Sequence, residues 1–113
     1  MFYFYLSFLI SHTVCLHSNK TLTDMDLAVE LLTEVQNQTY ENEEGCIAYD
    51  LHLSEENPTT IYIYECYENS AALKLHNSAS YYKDIVVKKL VPIIKTEKIL
   101  TLHPINDMGI EME

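Results

Sequence analysis

The fold of this 113-residue chain is decided by residues 61–67, which read Ile-Tyr-Ile-Tyr-Glu-Cys-Tyr. Their β-branched and aromatic side chains predict a strand, and successive side chains of a strand point to opposite faces of the sheet. Both faces are then apolar or aromatic, and Glu65 alone places a carboxylate in the middle of one of them. A strand without a solvent face predicts a sheet with helices on one side and a second copy of the chain on the other.

The residues before this strand predict one strand and one helix. Alternation of apolar and polar residues over Leu9–His17 indicates a strand that turns His12 toward the core. Thr23 fits a helix N-cap, and spacings of three and four residues predict a helix that ends at or just before Gly45. The expected buried stripe of this helix consists of Leu27, Leu31 and Val35, supported by Ala28 and Leu32.

The segments on either side of the stretch 61–67 predict a hairpin, two short helices and a last strand. Cys46–Leu53 is expected to pair, through a turn at 54–58, with a strand over Thr60–Tyr67. The last strand is expected from about Glu97 to His103. Two short helices lie between, one capped by Ser70 over residues 70–76 and one over residues 81–90 capped by Ser78 or Ser80. This order is the split βαβ arrangement of ferredoxin-like α+β domains.

Composition narrows the possible partners. The chain has seven lysines, no arginine and 17 acidic residues, for a net charge of −10. This charge repels phosphate backbones and anionic membrane surfaces, so we expect neither nucleic acid nor a membrane as a partner. The apolar opening over Met1–Ile10 has no preceding basic residue and is too short to span a bilayer. Its second half is interpreted as the start of the first strand and the part before it as an extension, with a cleaved signal as the alternative.

The three cysteines predict neither disulfides nor a metal site. The number of cysteines is odd, and none of them stands at a CxxC spacing. All three lie in apolar strand patterns, at Cys15, Cys46 and Cys66. They are expected to be small buried side chains in a reducing compartment, which makes the chain cytoplasmic. No cysteine and histidine stand at a zinc-ligand spacing, so no metal is expected.

Several short motifs together resemble the antibiotic biosynthesis monooxygenase family. They are Glu44-Gly45-Cys46-Ile47-Ala48-Tyr49, Asn57-Pro58, the stretch 61–67, Ala71-Ala72-Leu73 with His76, and Tyr82 with Leu90. The resemblance covers about residues 9–104 as one domain, which leaves residues 1–8 as an N-terminal extension and residues 105–113 as a C-terminal tail.

The resemblance implies a dimeric α+β barrel, in which two sheets face each other and the helices cover the outside. It also implies a pocket between sheet and helices, and oxygenation of quinol-like aromatics without flavin, metal or haem. The motifs are most similar to quinol monooxygenases and autoinducer-2 degrading enzymes. Many members have a second histidine five residues after the first, and this chain has Tyr81 there, a phenol that is a poor acid–base group at neutral pH.

The candidate catalytic residues are His76 and Glu65. An imidazole exchanges a proton near neutral pH, and deprotonating a phenol gives an anion that can reduce oxygen directly. Glu65 would orient the histidine or accept a proton itself, although a structural role in joining strand to helix is an alternative. The candidate substrate-binding residues are Tyr49, Tyr64, Tyr67, Tyr81, Tyr82 and His12.

Two other functions stay open. The first is an isomerase or degrading enzyme for a small sugar-derived signalling carbonyl compound, in which His76 shuttles a proton between carbons. The second is a homodimer that binds a small ligand without turnover, which the tyrosine at position 81 makes credible.

Overall fold

The computed structural model describes residues 8–16 and 22–102, and it describes the backbone alone for residues 8–16, 22 and 23. The elements in chain order are β1 (Phe8–Leu16), α1 (Leu22–Asn42), β2 (Cys46–Leu53), β3 (Thr60–Tyr67), α2 (Ser70–Ser78), α3 (Tyr82–Leu90) and β4 (Ile94–Leu102). A short 3₁₀ turn over Val91–Ile93 joins α3 to β4. Most of the predicted N-terminal extension and the whole predicted C-terminal tail lie outside the described residues.

The four strands form one antiparallel sheet in the order β2-β3-β1-β4. This is the predicted ferredoxin-like topology, and residues 61–67 supply one of its two central strands. Along β3 the residues Ile61, Ile63, Glu65 and Tyr67 are all buried beneath the helices, as their shared face predicts. Glu65 lies between Ile10 of β1 and Tyr49 of β2 in the register.

Helix α1 packs on this face through a stripe that differs from the predicted one. The fully buried positions are Ala28, Leu32, Val35 and Thr39, whereas Leu27 is 39% exposed. The Thr39 hydroxyl donates to the carbonyl of Val35, which satisfies it inside the core. The prediction is therefore right for Val35, Ala28 and Leu32, whereas Leu27 was wrong as a core residue. Adjacent residues of a helix are about 100° apart, and the packing against the sheet centres the stripe on Ala28 and Leu32 and leaves Leu31, which is partly buried, at its edge.

The helix ends also differ from the sequence prediction. The N-cap of α2 is Asn69 rather than Ser70, because the Asn69 side chain accepts a hydrogen bond from the backbone N–H of Ala72 at 2.9 Å. Helix α3 is a π-helix, in which Val91 N–H bonds the carbonyl of Val86, and neither Ser78 nor Ser80 caps it. Strand β4 starts at Ile94 instead of Glu97, since the turn that contains Pro92 ends the helix directly before it.

Gly45 holds the α1–β2 loop against α2. A methyl group built at Gly45 would lie 2.6 Å from the Cβ of Ala72, well inside van der Waals contact. The carbonyl of Gly45 accepts a hydrogen bond from the N–H of Glu68 at 2.9 Å, just before α2 begins. The loop and the helix can approach this closely only because residue 45 lacks a side chain.

The opposite face of the sheet carries several exposed apolar and aromatic side chains. Tyr62, Tyr64, Leu100 and Leu102 share this face in the register and are each 38–46% exposed. This agrees with the prediction that β3 has an apolar outer face. Across the described part of the chain, no helix combines the length and the apolar character needed to cross a membrane.

Candidate functional site

The site is built around His76, which α2 inserts beneath the sheet. Its side chain is 1% exposed, and Ala72, one helical turn earlier, is the other buried residue of this short helix. The two positions are four residues apart, so they share the helix face that packs on β3 and on the α1–β2 loop. The imidazole is therefore buried under the sheet and does not point into solvent.

One side of the imidazole contacts Glu43. The Nδ1 atom of His76 lies 3.1 and 3.0 Å from the two carboxylate oxygens of Glu43. Because an ionised carboxylate only accepts hydrogen bonds, Nδ1 must carry the proton, and a neutral ring then has a free lone pair on Nε2. The Tyr81 hydroxyl also donates to Glu43. Glu43 follows the last residue of α1, and its N–H still donates to the carbonyl of Thr39 at 2.9 Å, which fixes its position.

The other side of the imidazole faces Glu65. The Nε2 atom lies 3.6 Å from Oε1 of Glu65, which is beyond hydrogen-bond distance. Among the described residues Nε2 has no hydrogen-bond partner, although it is buried. The same Oε1 atom accepts a hydrogen bond of 2.6 Å from the Tyr67 hydroxyl. A lone pair and a carboxylate that face each other in this way form a place where one more proton would be stabilised.

Three aromatic rings enclose the imidazole. The ring centroids of Tyr49, Tyr67 and Tyr82 lie 5.7, 5.3 and 5.2 Å from that of His76. Burial raises the pKa of all three phenols, and the charge of Glu65 raises the pKa of each further. They are therefore protonated at neutral pH, and they act as hydrogen-bond donors and apolar walls rather than as bases.

Burial lowers the pKa of His76, and the nearby Glu43 carboxylate offsets part of this effect. The imidazole is consequently neutral at pH 7 and able to accept a proton on Nε2. Tyr81 differs from a second histidine in this respect. Burial and its hydrogen bond to Glu43 both raise the pKa of the Tyr81 hydroxyl, so this group holds its proton.

A cavity of about 70 Å³ lies next to this cluster, between the sheet and α3. Glu65, Tyr49 and Tyr82 contribute to its wall. The rest of the wall is formed by Leu32, Ile63, Val86, Val87, Leu90, Val91, Ile94 and Glu97. We call this space the inner cavity. On the opposite side of His76, a wider cleft of about 740 Å³ is lined by Glu43, Tyr81 and residues of α2. We call this space the outer cleft.

The structure brings most of the predicted site residues together. His76, Glu65, Tyr49, Tyr67 and Tyr82 form one contact cluster. The alternative role of Glu65, a link between strand and helix, is compatible with its position between Tyr67 and His76.

Three other predicted positions have different surroundings. Tyr81 reaches Glu43 on the outer side rather than the inner cavity. Tyr64 lies on the opposite, exposed face of the sheet, away from His76, because β3 alternates its side chains. The side chain of His12 lies outside the described residues, although its backbone pairs with Ile63. A substrate role for His12 therefore stays a prediction.

Glu43 is a residue of this cluster that the sequence analysis did not single out. It is followed directly by Glu44, and the sequence gives no signal that distinguishes the two carboxylates. The side chain of Glu43 is only 10% exposed because the loop turns it toward α2, whereas Glu44 is exposed. The sequence feature that could have pointed to this position is the pair of acidic residues directly before Gly45. A glycine can mark a place where a loop packs closely against another element, and acidic residues beside it can then be buried.

Comparison with known proteins gives a family. A model of the family described as antibiotic biosynthesis monooxygenase matches residues 24–88, which is more than half of the chain. The matched range contains His76, Glu65 and Glu43. A comparison with curated proteins finds no match.

Solved structures give the same fold. A Caulobacter crescentus CB15 protein, provisionally described as an antibiotic biosynthesis monooxygenase, superposes with a TM-score of 0.80 at 20% identity, covering 91% of this chain and 93% of its own. A Bacteroides thetaiotaomicron VPI-5482 protein with the same provisional description superposes with a TM-score of 0.78 at 17% identity, covering 96% of this chain and 97% of its own. Rv0793 from Mycobacterium tuberculosis superposes with a TM-score of 0.75 at 18% identity, covering 88% of this chain and 95% of its own. At these identities the similarity shows the fold alone.

Proposed function

The chain belongs to the antibiotic biosynthesis monooxygenase family, and we propose that it catalyses the oxygenation of a small quinol-like aromatic by O₂. In this reaction the substrate loses a proton to a base, and the resulting anion gives its electrons to O₂. One oxygen atom enters the ring as a new carbonyl, and the other leaves as water with two hydrogens of the substrate. The substrate supplies all the electrons, so the balanced reaction needs no other reductant.

The observation that supports this proposal most directly is the state of His76. A neutral, buried imidazole with a lone pair on Nε2 is a suitable base for a phenol, and Glu43 holds it in the required tautomer. Glu65 and Tyr82 connect the imidazole to the inner cavity, because both contact it and both line that space. A substrate hydroxyl placed beside Glu65 would be within reach of Nε2.

The wall of the inner cavity favours a neutral and flat substrate. Its only charged side chains among the described lining residues are Glu65 and Glu97, and the remainder are apolar or aromatic. An anionic or phosphorylated molecule would be repelled there. The volume of about 70 Å³ is less than half of the roughly 150 Å³ that holds benzene. We therefore expect Val87 of α3 and Val91 of the following 3₁₀ turn, which are half exposed, to move outward when an aromatic ring binds.

Oxygen consumption with a panel of hydroquinones tests the proposal. We expect His76→Asn to reduce the rate by at least about 100-fold, because general-base catalysis contributes that much or more. Asparagine keeps a donor that can bond Glu43, and circular dichroism verifies the fold. The matched control is Lys74→Asn, which introduces the same residue at an exposed position of α2 and should retain the rate. An unchanged rate in His76→Asn would remove this imidazole from the mechanism.

The small size of the inner cavity also supports the second candidate function. A carbonyl compound of a few carbon atoms fits about 70 Å³ better than an aromatic ring does, and His76 could move its proton between adjacent carbons. Incorporation of deuterium from solvent into small uncharged hydroxycarbonyls, with no oxygen consumed by any quinol, would favour this isomerase. A tight ligand detected by calorimetry, without turnover of either kind, would favour a binding protein.

We further propose that the active form is a homodimer joined through the exposed face of the sheet. The apolar side chains of Tyr62, Tyr64, Leu100 and Leu102 support this proposal. A stable interface buries on the order of 1,600 Å² in total. Sedimentation at micromolar concentration should give about twice the chain mass of 13.1 kDa. Tyr64→Lys should shift the equilibrium to monomer, whereas Leu75→Lys, on an exposed position of α2, should not. A wild-type monomer would contradict the proposal.

A further inference from the structure

His76 contacts residues that line two different spaces, Glu65 and Tyr82 on one side and Glu43 on the other. The inner cavity has Glu65 in its wall, and the outer cleft has Glu43 and Tyr81 in its wall. The imidazole touches both carboxylates, one through each ring nitrogen. The outer cleft is more than ten times larger than the inner cavity, so it offers solvent more room beside the cluster.

The contacts form a series of proton donors and acceptors with one gap, between Nε2 of His76 and Oε1 of Glu65. From the outer cleft inward, the Tyr81 hydroxyl donates to Glu43, and Glu43 accepts from Nδ1 of His76 at 3.0 Å. On the far side of the ring, Nε2 faces Oε1 of Glu65 at 3.6 Å. That oxygen accepts from Tyr67 at 2.6 Å. An imidazole in such a chain can take a proton on one nitrogen and release a proton from the other.

The described residues around His76 offer few other routes for a proton. The titratable groups that face the ring from the packed elements are Glu43 of the α1–β2 loop, Tyr49 of β2, Glu65 and Tyr67 of β3, and Tyr82 of α3. The three phenols hold their protons firmly, since burial raises the pKa of each. Cys46 is nearby, but burial and the charges of Glu43 and Glu65 raise the pKa of its thiol to about 12. Among the described groups that face the ring, this leaves the two carboxylates as candidate acceptors for a proton.

We propose that Glu43, held by Tyr81, is the outer end of a proton relay that runs through His76 to Glu65 at the inner cavity. A proton from the substrate forms a new bond to Nε2, and the Nδ1–H bond breaks as that proton moves to an oxygen of Glu43. Return along the same path gives the proton back to reduced oxygen, which leaves as water. Glu43 acts through His76 and does not touch the substrate. The catalytic role of this relay rests on the proposed function, whereas the proton transfer between Glu43 and His76 does not.

The relay can be tested without any substrate. Protein labelled with ¹⁵N at histidine reports by NMR which ring nitrogen of His76 carries the proton and how that changes with pH. In the wild type we expect the proton on Nδ1 and a bare Nε2. Glu43→Gln should lower the proton affinity of His76 by about tenfold or more, because an opposite charge within hydrogen-bond distance is lost. Glu44→Gln, which makes the same change one residue later, should leave the titration unaltered.

A second measurement uses oxygen consumption by the same variants. Glu43→Gln should lower kcat by about tenfold or more with little change in KM, and Glu43→Asp should restore part of it. Added imidazole, which can enter the outer cleft, should partly restore kcat in Glu43→Gln but not in His76→Asn.

These outcomes separate the relay from the reaction. A proton on Nε2 in the wild type, or an unchanged titration in Glu43→Gln, would overturn the relay. Absence of rescue by imidazole would overturn the assignment of Glu43 as the outer end. If no quinol consumes oxygen, the proposed reaction fails, and the NMR result still decides the relay.

Discussion

Gly45→Ala is expected to destabilise the protein by pushing the α1–β2 loop away from α2. The new methyl group would lie 2.6 Å from the Cβ of Ala72 and 3.5 Å from the Cγ of Glu68. Ordinary contacts between carbon atoms are about 3.5–4.0 Å, so the loop and helix must separate by about 1 Å. Glu43 stands two residues before the clash and His76 one helical turn after Ala72, so the separation also stretches the contact between these two side chains.

The expected magnitude follows from the cost of inserting a methyl group into a packed contact, which is about 1–3 kcal/mol. With a urea m-value of about 1.5 kcal/mol/M for a chain of this size, a loss of about 2 kcal/mol lowers the unfolding midpoint by roughly 1.3 M. Urea denaturation followed by circular dichroism measures this shift. Since the site is distorted as well, the rate of any reaction that uses His76 should fall.

A double-mutant cycle isolates the clash. Ala72→Gly removes the opposing methyl group and costs about 1 kcal/mol by itself, because glycine weakens a helix. Combined with Gly45→Ala, it should recover about 1 kcal/mol or more relative to the sum of the two single changes. The matched control is Ala71→Gly, an exposed position of the same helix turn, which should show no such coupling. Additive effects for the Gly45 and Ala72 changes would refute this account of the glycine.

Three further predictions follow from the same cluster. Burial lowers the pKa of His76 from 6.5, so as the pH falls the unfolded chain takes up this proton before the folded chain does. The contribution of His76 to the free energy of unfolding is therefore lost as the pH falls below about 6.5. When the free energy of unfolding is measured in urea between pH 5 and 8, its dependence on pH should be weaker in His76→Asn but not in His52→Asn. Tyr67→Phe removes the buried donor to Glu65, so thermal and urea denaturation should show a loss of about 1–3 kcal/mol. Since the pKa of Cys46 is raised to about 12, iodoacetamide should alkylate it far more slowly in the folded protein at pH 8 than in urea, and equal rates would contradict its burial.

Much of the architecture could be predicted from local patterns. The alternation over residues 61–67 predicted both faces of β3, and the turn residues at 54–58 predicted the hairpin that holds it. The resemblance to the family, carried by motifs that include Glu65 and His76, is confirmed by the match over residues 24–88. The predictions that failed concern choices between adjacent residues. Leu27 and Ala28 lie on neighbouring helix faces, and Asn69 and Ser70 are both good caps, so the chain alone does not separate them.

The sequence by itself determined the periodic features of this protein, namely the strand faces, the helices and the presence of a carboxylate and an imidazole in an apolar setting. Only the tertiary structure decided that Glu43, and not Glu44, contacts Nδ1 of His76, and that Tyr81 turns to the outer cleft while Tyr82 turns to the imidazole. The physical reason is the range of the interactions involved. Periodicity depends on neighbours within one turn or one pleat, whereas Glu43 and His76 are 33 residues apart and meet because a glycine lets two elements approach.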